Sequence, residues 1–146
     1  MVVVLNTKLL PVGERVGAVQ DALTSTEVPA IQRFLPHAGE LWHQLRVCDI
    51  GDGVHATRLD GTGMSVKRGS KQIRAAAPER VGLGLQMNAP GNFSHCGMDT
   101  VLAAGALGLT DGTSVSDYVC TGVGGTKVVI IDYAQLGLPV DTVRRA

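Results

Sequence analysis

Four histidines carry the metal-binding potential of this chain: His37, His43, His55 and His95. A mononuclear iron, manganese or zinc centre needs imidazoles and a carboxylate that converge on one point. No His-x-His pair occurs, and no glutamate stands near His95. His43 and His55 could face inward from the first predicted strands, but two imidazoles do not make such a site. We therefore predict no metal and no other cofactor.

Nucleophilic and phosphate-binding patterns are also missing. No Gly-x-Ser-x-Gly occurs, and the serines have no spacing that suggests a triad. The glycine-rich segments 82–84 and 122–125 neither lead into a helix nor carry the Lys-Ser or Lys-Thr that a phosphate loop needs. The segment 122–125 is instead predicted to be a hairpin turn. We predict no catalytic residues and no enzymatic activity.

The charge balance excludes several classes of partner. Thirteen basic residues offset thirteen acidic ones, so the chain lacks the single-sign field that attracts nucleic acid or anionic membrane. No apolar run approaches the roughly 20 residues of a membrane span. The apolar start at Met1–Leu5 has no basic leader, which favours a cytoplasmic protein. The three cysteines, Cys48, Cys96 and Cys120, fit no disulfide framework and are interpreted as separate thiols.

Two periodicities divide the chain. Apolar residues recur at helical spacing over about residues 12–25, and this amphipathic helix is expected to cover one mouth of the domain. Residues 29–40 are interpreted as a connector. Beyond Glu40 the period becomes two, as in the segments 41–47 and 81–87, and turn signals recur about every ten residues. The run 127–133 is apolar without alternation and predicts a central strand. The fold class is thus mainly β, a barrel or jelly roll.

Several segments resemble one family in their order and pattern. They are Val66-Lys67-Arg68, Ile73-Arg74, Pro78-Glu79-Arg80 with the alternating strand after it, Cys96 to Leu102, Ala104 to Leu109 and Leu136 to Pro139. In this order they resemble the sensor domains of AraC/XylS-type transcription regulators. The likeness covers about residues 10–146, although the family's Pro-Gly-Asp turn is replaced by Ala104-Gly105-Ala106 and no helix-turn-helix region follows.

The resemblance implies a cupin-like barrel that binds a small effector and forms a homodimer. Residues 1–146 would be one sensor domain, with a C-terminal helical segment at 136–146 whose Leu138, Val140 and Val143 are candidate dimer contacts. DNA would be contacted only through a C-terminal domain that is not present here. No membrane contact is expected.

Effector-binding residues follow from the same resemblance. Arg68 ends a strand whose counterpart in the family's sugar-sensing namesake carries a ligand-contacting arginine, and a guanidinium suits carboxylate or hydroxyl partners. Tyr118 in the returning strand combines an apolar ring with a hydroxyl group. The residues predicted to form the apolar wall are Trp42, Met64, Leu85 and Met87.

Two other interpretations remain open at this point. One is a cupin-fold enzyme with a degenerate metal site, which metal analysis of the purified chain would separate from the sensor domain. The other is a stand-alone binding or scaffold module.

Overall fold

The computed structural model describes residues 1–26, 29–139 and 141–142, and it is mainly β as the sequence predicts. Eleven strands lie in the described residues. They are β1 Val2–Asn6, β2 Ile31–Phe34, β3 His43–Gly51, β4 Val54–Gly61, β5 Met64–Arg68, β6 Arg80–Met87, β7 Gly91–His95, β8 Met98–Leu102, β9 Leu107–Asp111, β10 Ser116–Cys120 and β11 Gly124–Asp132.

The strands form two antiparallel sheets rather than one closed barrel. The first sheet has the order β1-β3-β4-β11-β6-β9, and the second has the order β2-β5-β10-β7-β8. No strand of one sheet pairs with a strand of the other in the described part of the chain. The jelly-roll expectation is therefore correct and the closed barrel is wrong, because in the described residues the backbone ladder of neither sheet continues into the other.

Strand β11 lies at the centre of the six-stranded sheet, as its apolar run predicts. It pairs with β4 on one side and with β6 on the other over most of its length. The predicted hairpin turn at 122–125 is wrong. Strands β10 and β11 belong to different sheets, so this segment is a crossing, and Gly124 and Gly125 already belong to β11.

The predicted N-terminal helix is present. A 3₁₀ turn at Val12–Glu14 leads into helix α1 at Arg15–Thr26. Its Val19 and Leu23 are fully buried and pack with Leu45 and Leu59 of the first sheet in the main apolar core. The helical spacing of these two residues therefore orients α1 over the space between the sheets.

The connector predicted at residues 29–40 contains a strand. Ile31–Phe34 forms β2 and pairs with β5 at the edge of the five-stranded sheet. The sequence signal is weak because the strand has only four residues and lies between Pro29 and Pro36, which are compatible with an edge position.

The C-terminal helical segment is present, but it is interrupted within the described residues. After a six-residue helix α2 at Ser70–Ala75, the chain forms α3 at Tyr133–Leu136, and Gly137 ends it in the left-handed region at φ 62°. The prediction that residues 136–146 form one helix is therefore wrong at its start. Asp141 and Thr142 are helical again, and Val140 and residues 143–146 lie outside the described residues.

His43 is part of the buried interior. Its Nε2 lies 3.1 Å from the carbonyl oxygen of Thr62, and its ring contacts Phe34 edge-on at 4.9 Å between centroids. The carbonyl can only accept, so Nε2 carries the proton and donates. Burial lowers the pKa of His43 to about 4, although the hydrogen bond to Thr62 opposes that shift. The folded protein therefore holds a neutral imidazole.

We predict that stability falls as the pH drops below 6.5. The unfolded chain binds a proton at His43 near pH 6.5, whereas the folded chain resists protonation until about pH 4, so protons favour unfolding in this window. The expected loss between pH 7 and pH 5 is about 2 kcal/mol of unfolding free energy, measured by urea titration. In His43→Gln this component of the pH dependence should disappear, and in the control His37→Gln, at an exposed site, it should remain. An equal pH dependence in all three proteins would contradict the assignment.

Candidate ligand-binding site

A cavity of about 210 Å³ lies between the two sheets. Residues of both sheets line it, and Leu23 of α1 reaches it from the covering helix. Its wall is mainly apolar with a small number of polar groups, which is the usual character of a small-molecule site. Four of the six residues predicted to hold a ligand border this cavity, namely Arg68, Tyr118, Met64 and Leu85.

Glycines form part of one wall. Gly82 and Gly84 of β6 border the cavity together with Gly108 of β9, and Gly84 pairs directly with Gly108. A Cβ atom on Gly84 would lie 3.7 Å from the carbonyl oxygen of Gly108 and 4.0 Å from Cγ2 of Val128. These are ordinary contacts, so a side chain at position 84 would extend into open cavity. A Cβ atom on Gly82, in contrast, would lie 2.5 Å from Oγ1 of Thr110.

The alternation of β6 is the reverse of the predicted one. Leu85 and Met87 were expected to face the ligand, but Gly84 and Gln86 face the cavity, and Leu83 on the opposite face is 40% exposed. Leu85 borders the cavity, yet it shares the outward face with Leu83, and Met87 does not line the cavity at all. The inward positions of β6 hold glycine and polar residues, and most of the apolar side chains of the wall come from other elements.

Tyr118 and Gln86 form the central polar pair of the wall. The Tyr118 hydroxyl donates to Oε1 of Gln86 at 2.9 Å, and Nε2 of Gln86 donates to the carbonyl of Ala89 at 2.6 Å. Gln86 is only 2% exposed, and a Cβ atom on Gly91 would lie 2.6 Å from the Tyr118 ring. Burial raises the pKa of Tyr118, so the hydroxyl stays protonated. One amide N–H of Gln86 can still donate and the phenol oxygen can still accept, although the side chain of Cys120 also lies within hydrogen-bonding reach of Tyr118.

Arg68 is buried, and its guanidinium binds the backbone. Nε donates to the carbonyl of Pro29 at 3.2 Å, Nη1 to that of Gly112 at 2.8 Å and Nη2 to that of Ala76 at 2.8 Å. The whole residue is 6% exposed. Three of its five N–H donors are thus engaged with three separate chain segments. This geometry favours a structural role for Arg68, and the predicted effector contact stays a prediction.

Asp111 and Arg80 supply the other charges of the wall. Asp111 accepts hydrogen bonds from the backbone and hydroxyl of Thr113, the hydroxyl of Ser114 and the hydroxyl of Tyr133. Burial alone would raise the pKa of Asp111, but these donors lower it below its ordinary value. Burial lowers the pKa of Arg68, and the negative charge of Asp111 opposes part of that shift. Arg80 pairs with Asp132, with Nε 3.2 Å from the carboxylate.

Of the two remaining residues predicted to form the apolar wall, one borders the cavity and the other does not. Met64 borders the cavity and packs against the apolar core. Trp42 does not line it; its ring lies under the ammonium of Lys8, which is 4.1 Å from the ring centroid. Gln86 and the three glycines were missed as site residues. For Gly82, Gly84 and Gln86 the sequence signal is the alternation of β6, which the prediction assigns to the wrong face.

The histidines do not converge. His95 accepts from the backbone N–H of Asp111 at 3.0 Å through Nε2, while its Nδ1 lies 3.1 Å from the carbonyl of Val115. His43 bonds to Thr62 as described above, and no histidine lines the cavity. Among residues 1–26, 29–139 and 141–142, no group of three His, Cys, Asp or Glu side chains is placed to hold a metal ion.

Of the predicted dimer contacts, only Leu138 can be placed. It is 52% exposed beyond the end of α3. Val140 and Val143 lie outside the described residues. The three cysteines are free, with Cys96 exposed and Cys120 buried.

Comparison of folds identifies solved structures of the same architecture. The AraC-like transcriptional activator CuxR matches with a TM-score of 0.72 at 14% identity over 87% of this chain, and this chain covers 46% of CuxR, less than half its length. A cupin superfamily protein from Desulfitobacterium hafniense matches with a TM-score of 0.51 at 10% identity, covering 70% of this chain and 99% of that one.

A conserved protein of unknown function from Streptococcus pyogenes gives a TM-score of 0.50 at 7% identity, covering 67% and 79% of the two chains. The chain has a cupin-like fold. No family model and no curated protein matches the sequence. Among the described helices, none has the length and apolar character required to cross a membrane.

We predict that Arg68→Ala lowers stability strongly. The substitution leaves three carbonyls without their donor, which should cost about 3 kcal/mol or more and lower the melting temperature by roughly 10 °C. The matched control is Lys67→Ala on the same strand, because the Lys67 side chain is 62% exposed and lies 3.7 Å from Asp117. That control should change the unfolding free energy by less than about 0.5 kcal/mol. If calorimetry shows that Arg68→Ala melts like the parent, the structural role is wrong and the predicted ligand contact of Arg68 gains support.

Proposed function

We propose that this chain is the small-molecule effector-binding domain of an AraC-type transcription regulator. The observation that carries the proposal is the cavity between the sheets, which is mainly apolar and has the Tyr118–Gln86 pair on its wall. The likeness in fold to the activator CuxR supports placing the domain in a regulator of this class. The cytoplasm is the compartment that suits this role.

In this proposal the domain senses and another domain reads DNA. The balanced charge of the chain offers no electrostatic term for binding DNA by itself. Effector binding would be coupled to DNA binding by a free energy shared between the two sites. Helix α1 is one candidate for transmitting it, because Leu23 borders the cavity while Val19 of the same helix packs into the core.

A cupin-fold enzyme is less well supported by the cavity itself. Its lining contains no imidazole and one carboxylate, Asp111, whose oxygens already accept four hydrogen bonds or more from neighbouring groups. The described residues therefore supply no set of donors that a catalytic iron, manganese or zinc ion requires.

Homodimer formation remains part of the proposal. Leu138 is the one predicted contact in the described residues, and its exposure is compatible with a role in pairing.

A stand-alone scaffold would differ from a sensor domain in ligand binding, because a scaffold does not require a cavity that takes a small molecule.

The proposal predicts that a small molecule stabilises the chain by filling this cavity. A panel of aromatic and aliphatic alcohols, carboxylic acids and sugars would be screened by thermal unfolding. A ligand at about one hundred times its dissociation constant adds about 2.7 kcal/mol to the unfolding free energy. Gly84→Leu should abolish the response, since a side chain at this position occupies the cavity, while its melting temperature without ligand stays equal to the parent's or rises.

Two further variants make the result decisive. Gly84→Val fills less of the cavity and serves if leucine is too large for the wall. Leu83→Thr changes the neighbouring outward position and should respond to ligand as the parent does. If no compound stabilises the parent, or if stabilisation survives filling of the cavity, the sensor proposal is wrong and the scaffold alternative gains support.

A further inference from the structure

We infer that the cavity takes a small, neutral, largely apolar molecule with one hydroxyl group, which bonds to the Tyr118–Gln86 pair. This inference rests on the proposed function and specifies the chemical class of its ligand. Four features of the wall carry it: the volume, the open space over Gly84, the state of the charged residues and the free capacity of the polar pair.

The volume limits the ligand to about ten non-hydrogen atoms or fewer. Drug-sized ligands occupy pockets of about 300–1,000 Å³, and a dry protein cavity of about 150 Å³ holds one benzene molecule. The present cavity, at about 210 Å³, lies between these sizes and nearer the lower one. A single substituted ring or a short branched alcohol fits.

The shape of the wall suits a flat molecule. Gly84 contributes no side chain on one sheet, and Phe93 and Tyr118 line the cavity from the other sheet. A Cβ atom on the neighbouring Gly108 would lie 3.2 Å from Cδ1 of Leu102, so Leu102 packs closely against this glycine. Among the glycines that line the cavity, Gly84 is the one at which an added Cβ atom would meet only ordinary contacts.

The charged groups of the wall already have partners within the protein. Arg68 donates to three backbone carbonyls, and Asp111 accepts from hydroxyl and amide groups. Arg80 is paired with Asp132. An ionised ligand would therefore lose its hydration and would have to compete with these partners for a counter-charge, which is costly in a largely apolar cavity. A neutral ligand avoids that cost.

The polar pair provides one well-defined anchor. The phenol oxygen of Tyr118 can accept from a ligand hydroxyl, and the second N–H of Gln86 can donate to it. A molecule that lacks a hydroxyl leaves this capacity unused.

The test compares three probes of nearly the same shape: para-cresol, toluene and para-toluate. Dissociation constants would be measured by NMR titration of the parent chain. We expect para-cresol to bind about tenfold more tightly than toluene, which corresponds to the net value of one or two hydrogen bonds. We expect para-toluate to bind at least tenfold more weakly than para-cresol.

Variants assign the preference to the anchor. In the double variant Tyr118→Phe/Gln86→Met both partners become apolar, and the preference for para-cresol over toluene should vanish while toluene still binds. The double replacement removes both members of the Tyr118–Gln86 bond together, and only the carbonyl of Ala89 loses a donor. The melting temperature of the variant checks that the fold persists. Gly84→Leu should abolish binding of all three probes.

The outcomes separate this inference from the proposed function. Tighter binding of para-toluate than para-cresol, abolished by Gly84→Leu, would overturn the neutral-ligand inference and leave the sensor proposal standing. A preference for para-cresol that survives in the double variant would remove the Tyr118–Gln86 anchor. Absence of binding by all three probes would overturn the inference, and the broader panel would then decide the proposed function by itself.

Discussion

The buried guanidinium of Arg68 is the interaction on which the site depends. It joins the segment before β2, the end of helix α2 and the crossing between β9 and β10 through three backbone carbonyls. Each of these segments lies where the chain passes from one sheet to the other, so the guanidinium ties three of the crossings together. Because the two sheets share no ladder hydrogen bonds in the described residues, side-chain links of this kind connect them at the border of the cavity.

The elements of the fold were largely predictable from the residues. The helical spacing of Val19 and Leu23 and the apolar run of β11 each identified one element and its position. Strand β2 was missed, since four residues between two prolines give too short an alternation to recognise. The crossing at 122–125 was mistaken for a hairpin, because glycine-rich turns have the same local composition whether they join strands within a sheet or between sheets.

The site was predictable only in part. Tyr118 was selected for its amphipathic side chain, and it does line the cavity. Leu85 and Met87 were selected on the assumption that the large apolar residues of their strand face the interior, which holds for most of the cavity wall but not for β6. In β6 the interior side consists of Gly82, Gly84 and Gln86, so the residues that create the space are those that a hydrophobicity pattern discounts. The partner of Arg68 could not be predicted, because backbone carbonyls have no sequence signature.

The central claim is that the space between the sheets is a ligand site, and amide NMR of the labelled chain with para-cresol tests it most directly. The account predicts saturable shifts of the amide signals of Gly84 and Gly108, which border the cavity, and unchanged signals for Gly13 and Gly97, which do not. Shifts confined to Gly13, Gly97 or other residues outside the cavity, with Gly84 and Gly108 unmoved at saturating para-cresol, would contradict it.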